Sequence, residues 1–400
     1  MSHLSRRGFL KALGVGAGAL VGTRLPGAGL FGVAHAATPE PTSVVCIYLN
    51  GGINAIFTGA DAFTNTAFGV TANNVLALGG GVVVDNAIGN AIPQGVRQRV
   101  ATVGIRHGIS DHGNAQRSFF ASGAQSAPLV LADAIGGTGA IKAAVVGGNG
   151  LPGGGAPAPV NGISLQPITD MRATIEAVAG ATPAANVVDR DGAAKGLVAA
   201  EAMSKGTVAR HGQSLASVNQ GLTAAIATLQ KPVQPFNTQE FNTAYGLTGT
   251  AVNSFASRMA AAELMVRTGT GFVIAQDAGW DSHGDTGGTS VRNMFTQRIA
   301  PGLRTFLTRM VDGAAAQQRN VIVAIFGDFH RSLPGSDHQS NGAALVIGKN
   351  IRSGTTGKTD ARVSLPAGTP GIAGLWQLLG AAAKVSTNPF GANPHTALVG

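Results

Sequence analysis

Apolar positions along this chain fall in short unbroken runs, separated by longer polar or amphipathic stretches. The runs Ser43–Leu49, Ala101–Ile105, Lys142–Val146, Gly271–Gln276, Asn320–Phe326 and Ala343–Gly348 are rich in Val, Ile and Ala. Because successive rather than alternate positions are apolar, they predict strands buried on both faces. Between them the spacing predicts helices over 114–122, 170–179, 193–229 with a break near Gly212, 252–267, 291–317 and 372–383. Strands alternating with helices predict an α/β fold, a three-layer α/β/α sandwich around a mostly parallel sheet. Such a sheet places ligands on the loops that leave the carboxyl ends of its strands.

Two internal segments interrupt this pattern. GGNGLPGGGAPAPVNG (Gly147–Gly162) is a loop of Gly, Pro and Ala that marks a boundary. The stretch after it, about 163–250, reads as a mainly helical insertion without a buried strand. Residues 73–96, with alternating Val, read as a β-hairpin over one sheet edge.

The N-terminus reads as an export signal. SRRGFLK (Ser5–Lys11), with Arg6 and Arg7 paired, precedes a weakly apolar Gly/Ala/Leu stretch that ends in Ala34-His35-Ala36. This is the pattern of a twin-arginine leader. Cleavage is expected between Ala36 and Ala37, leaving 37–400 as one α/β domain. The expected partner is the twin-arginine translocation machinery, and the destination is periplasmic or extracellular. No later stretch approaches the roughly 18 apolar residues of a membrane span.

Charge and cysteine content narrow the chemistry. The net charge is +9, but the leader holds Arg6, Arg7, Lys11 and Arg24 without an acidic residue, so +5 remains after residue 36. The basic residues are scattered and only 5% of positions are aromatic, which argues against a nucleic-acid partner. The single cysteine, Cys46, reads as a small buried hydrophobe and excludes a disulfide framework or a cysteine-rich zinc site. Any metal must be held by nitrogen and oxygen.

Of the nine histidines, His3 and His35 lie in the leader, and four others stand within two residues of an aspartate. These pairs are Asp111-His112, Asp281-x-His283, Asp328-x-His330 and Asp337-His338. Imidazole and carboxylate are the ligands of divalent-metal sites that lack thiolate. GWDSHGD (Gly279–Asp285) and GDFHRS (Gly327–Ser332) follow predicted strands, and SDH (Ser336–His338) comes shortly after. One such pair alone caps a helix or shapes a turn; three on or near strand-end loops point to a divalent metal. Arg331 is read equally as a bidentate holder of an anionic ester oxygen and as half of a surface ion pair. His107 reads as an ordinary hydrogen-bonded histidine, and Trp280 as packing.

With YLNGGINAIF (Tyr48–Phe57), RHGISDHGNAQRSFFASG (Arg106–Gly123) and SDHQSNGAALVIGKNIRSG (Ser336–Gly354) added to those motifs, the chain resembles a family of exported bacterial proteins. This is domain of unknown function 1501, within the alkaline phosphatase and sulfatase superfamily. The resemblance implies an alkaline-phosphatase-like sheet with metal ligands on its strand-end loops and a Ser or Thr nucleophile. It implies Asp281 and His283 at one metal position, Asp328 with His330 at the other, His338 as a later ligand, and Asn54 near the first. The chain departs from the family where relatives carry aspartate and it has Asn54. It departs again where relatives carry Ser-His and it has Asp111-His112, leaving Ser110 as the nearby hydroxyl.

The expected function is metal-dependent hydrolysis of a small phosphate or sulfate ester, with zinc, manganese or calcium as the ion. Ser110 or a water is the expected nucleophile, and His112 or His283 the proton shuttle. The alternative is a non-catalytic envelope protein that keeps the fold for binding or assembly.

Overall fold

All six predicted runs become strands, and all six lie in one sheet. The computed structural model describes residues 40–54, 72–179, 237–313, 315–331, 336–360 and 363–400, with a few positions between 195 and 205. The strands used below are β1 (Thr42–Leu49), β2 (Ile53–Asn54), β3 (Val100–Arg106), β4 (Ala143–Val146), β5 (Leu165–Ile168) and β6 (Phe272–Asp277). They continue with β7 (Asn320–Gly327), β8 (His330–Arg331), β9 (His338–Gln339), β10 (Asn341–Gly348) and β11 (Gly354–Thr356). The large sheet has eight strands in the order β11-β3-β10-β7-β1-β6-β4-β5. Only β10 runs against its neighbours. The fold is therefore α/β with a large, mostly parallel sheet and helices.

Double-sided burial explains the unbroken apolar runs. Val44 to Leu49 are inaccessible to solvent, as are Phe272 to Ala275 and Ile322 to Phe326. Strand β1 lies between β6 and β7, and in register Leu49 stands beside Asp277 on one side and Gly327 on the other. Three strands thus end level, and their loops start side by side.

Beyond that edge, β2, β8 and β9 form a small three-stranded sheet. It sets His330 opposite Ile53 and Gln339, and Arg331 opposite Asn54 and His338. Side chains alternate between faces along a strand, so Arg331 shares a face with His338 while His330 takes the other.

The helices that matter for the site are α1 (His112–Phe119), α2 (Ala127–Ile135), α3 (Phe255–Arg267) and α4 (Ile372–Ala382). The predicted hairpin is present: Val75–Gly79 pairs antiparallel with Val82–Asp85. The stretch after the Gly/Pro loop, expected to be mainly helical without a buried strand, contributes one half-exposed strand, β5, which pairs parallel with β4 at the sheet edge. Its sequence, Leu-Gln-Pro-Ile, buries only the two ends. Pro167 has no N–H for a further neighbour, which an edge position tolerates. The twin-arginine segment and most of the predicted helix over 193–229 lie outside the described residues. No helix among the described residues is long and apolar enough to cross a membrane.

Candidate metal centre

His112 enters the site as the first residue of α1. Asp111 caps that helix by accepting the Asn114 backbone N–H at 2.8 Å, which fixes where the helix begins. His112 Nδ1 then lies 2.6 Å from Asp328 Oδ2. Asp328 is completely buried just past β7, and it also accepts the Tyr48 hydroxyl and, at 2.9 Å, Gln116 Nε2. Burial, reinforced by the Asp328 charge, pushes the Tyr48 phenol well above its ordinary pKa, so it stays a neutral donor. A carboxylate surrounded by donors makes His112 carry its hydrogen on Nδ1. Nε2 is left with its lone pair; it is buried, 3.5 Å from Asp281 Oδ2, and makes no hydrogen bond among the described residues.

Asp281 and His283 sit on the loop after β6. The loop is anchored by Trp280, whose indole donates to Asp277 Oδ2 at 2.8 Å and whose backbone N–H donates to Asn50 O at 3.1 Å. Arg258 and Arg298 hold the same Asp277 carboxylate at 3.0 and 2.5 Å. Gly51, at φ +121°, lets the first-strand loop press against this one: a Cβ there would lie 2.2 Å from the Asp281 nitrogen. Asp281 Oδ1 accepts from Arg331 at 2.5 Å and lies 3.2 Å from His283 Nε2. Burial alone would raise its pKa, but the hydrogen bond and charge of Arg331, with His112 and His283 nearby, hold it below the usual carboxylate range.

His338 arrives on β9 and stacks on Phe329, ring centroids 4.5 Å apart. Its Nδ1 donates to the Ser110 carbonyl at 2.8 Å, leaving Nε2 to face His283 Nε2 at 3.1 Å. Burial, with the nearby His112, Arg331 and His283, outweighs the Ser110 hydrogen bond and lowers the His338 pKa, favouring the neutral ring. His283 Nδ1 in turn lies 3.3 Å from Asp337 Oδ1.

One nitrogen or oxygen from each of His112, Asp281, His283 and His338 therefore falls within 4.8 Å of the others. This His/Asp group could hold a metal ion. Each member is also held from behind, His112 by Asp328, Asp281 by Arg331, His283 by Asp337 and His338 by the Ser110 carbonyl, as metal ligands characteristically are.

Other expected residues stand elsewhere. Asp328 was expected as a ligand; its carboxylate instead meets Tyr48, His112 and Gln116 behind the group. His330 was also expected as a ligand, but strand alternation turns it to the opposite face, where burial drives its pKa down to about 3. Arg331 is fully buried rather than on the surface, and its guanidinium meets Asp281 and the carbonyls of Gly51 and Ser336. Ser110 contributes its carbonyl. The Asn54 backbone lies beside Arg331, and its side chain falls outside the described residues.

The sequence over residues 161–367 matches the family model described as Protein of unknown function (DUF1501). The chain belongs to that family. No curated protein matches the chain. In this DUF1501 member the matched span contains Asp281, His283 and His338, with the supporting Asp328 and Arg331. His112, Tyr48 and Gln116 lie before it, so the fourth member of the group and its support come from outside the matched region.

The sequence assigns no role to Tyr48, Gln116 or Gly51, and marks Asp337 only as the neighbour of His338. Tyr48 had a signal, as a hydroxyl near the end of an otherwise apolar buried run. Gln116 lay within the motif around His112 but its partners are distant in sequence.

Proposed function

We propose that this chain is an exported, metal-dependent hydrolase of phosphate or sulfate esters, built on an alkaline-phosphatase-like three-layer fold. What carries the reading is the convergence of three histidines and Asp281, each braced on its far side. Zinc suits three imidazoles and one carboxylate; calcium, which favours all-oxygen sites, suits them poorly. When bound, such an ion would polarise an ester oxygen and lower the pKa of a bound water. The chain's own residues do the positioning. Asp328 and Tyr48 fix the His112 tautomer, and Arg331 keeps Asp281 ionised and oriented. Asp281 and His283, each about half exposed, leave the group open to an incoming ester. Because Ser110 supports His338 through its carbonyl, we assign the nucleophile to water rather than to the serine.

The test is hydrolysis of an aryl phosphate and an aryl sulfate by zinc-loaded protein, before and after chelation. Chelator-sensitive turnover supports the hydrolase. Tight metal binding without turnover supports the second reading, a non-catalytic envelope protein for binding or assembly, which the displacement of the serine to Ser110 and the amide at Asn54 favour. Export is tested separately: a reporter fused after Ala36 should cross the membrane only while Arg6 and Arg7 are intact, and export of the Arg6→Lys, Arg7→Lys variant would refute it.

A further inference from the structure

The Gly/Pro loop borders a pocket separate from the His/Asp group. It folds back on itself, Leu151 N–H donating to Gly155 O at 2.7 Å, and lies against α1 so closely that a Cβ on Gly153 would come 2.7 Å from Gln116 Cβ. Between this loop, the end of α1 and the turn over 121–126 lies a pocket of about 290 Å³. Phe120, Leu151, Pro152, Pro157, Pro159 and Val160 supply apolar walls, and no acidic residue lines it.

Two of its polar groups are donors suited to an anion. Arg117, exposed on α1 and also donating from Nη2 to Asn114 Oδ1 at 2.8 Å, is one. The other is Ser126, which is only 7% exposed and whose hydroxyl has no hydrogen-bond partner among the described residues. Ser126 occupies the N-cap of the nine-residue α2, where a serine normally accepts a hydrogen bond from the helix's second or third N–H, but here it makes none. Pro128 supplies one reason, because proline in the first turn removes the second N–H. The hydroxyl therefore stands buried at the positive end of a helix, and Ser126 lines the same pocket as Arg117 and the apolar walls.

We propose that this pocket binds a small apolar carboxylate, its hydrocarbon part against the Leu/Pro/Phe walls and its oxygens receiving Arg117 and Ser126. The apolar lining and the single guanidinium fork fit a carboxylate better than a phosphate, which would call for more donors. None of the lining residues belongs to the metal group, so the proposal is independent of the hydrolase reading.

Isothermal titration of the full chain at neutral pH, with and without zinc, tests it using 3-phenylpropanoate and its neutral amide. The acid should bind one per chain and about tenfold more tightly than the amide, as expected for a charge-assisted hydrogen bond. Arg117→Gln and Ser126→Ala should each weaken the acid about tenfold, and Arg117→Gln should leave the amide unchanged. Ala124→Trp, at the exposed rim, should block both ligands, with circular dichroism confirming that each variant is folded. Equal binding of acid and amide, no binding at millimolar concentration, or unaltered affinity in the folded variants would overturn the proposal.

Discussion

Asp328 Oδ2 stands 2.6 Å from His112 Nδ1, which places Asp328 behind the His/Asp group that could hold a metal rather than within it. The carboxylate is inaccessible and surrounded by donors, so it acts on the imidazole, which presents Nε2 to the group. A histidine held this way is fixed in orientation.

Asp328→Asn should therefore weaken zinc by about 10- to 100-fold while keeping the side chain's size. The amide can turn a donor towards His112 Nδ1, favouring the tautomer that carries hydrogen on Nε2. Competition titration against a chromogenic chelator measures the loss, and unchanged zinc affinity in the folded variant would contradict this role.

Gly51→Ala should damage the same centre through the backbone. The new methyl would enter the space of the Trp280 carbonyl carbon and the Asp281 nitrogen, 2.6 and 2.2 Å away, at a φ that alanine disfavours. Zinc affinity should fall and the thermal midpoint should drop by several degrees, consistent with about 1–3 kcal/mol of strain. Retention of both values would show that the two loops are not in close contact.

Arg331→Lys should be disruptive despite keeping the charge. One ammonium cannot reproduce the planar fork that meets Asp281, Gly51 O and Ser336 O. Urea unfolding of the metal-free protein should show a loss of about 2 kcal/mol, the scale of a buried acceptor left without its donor. Wild-type stability in this variant would mean that the buried network contributes little.

Acid should destabilise the chain through two buried histidines away from the metal group. Burial lowers His330 to about 3 and His395 to about 4, against about 6.5 in an unfolded chain. Below pH ~6.5 the unfolded chain takes up protons that the folded chain refuses, so stability is full above that pH and falls towards pH ~4. Each histidine contributes a slope of up to about 1.4 kcal/mol per pH unit. With metal chelated, His395→Gln should remove one such contribution from the urea midpoints; an unchanged slope would exclude His395 as a source.

Much of this arrangement was legible because burial on both faces writes itself into sequence as unbroken apolar runs. Those runs located the central strands, and from them the loops carrying Asp281 and His283 followed, with His338 close behind. Spacing alone could not separate Asp328 from the metal group, because its partners Tyr48 and Gln116 come from distant elements. Nor could it turn His330 away: that depends on β8 pairing with β2 and β9, a register set by three short segments with little propensity of their own. Strand β5 escaped notice because a four-residue edge strand containing Pro167 carries almost none of the signal of a central strand.

Zinc titration into chelator-stripped protein, followed calorimetrically for the wild type and His338→Ala, tests the metal centre most directly. We expect one zinc per chain in the wild type and a loss of affinity in the variant, because both its ring nitrogen and the link from Ser110 are removed. No zinc uptake by folded wild-type protein, or equal uptake by folded His338→Ala, would contradict the assignment of His112, Asp281, His283 and His338 to one metal ion.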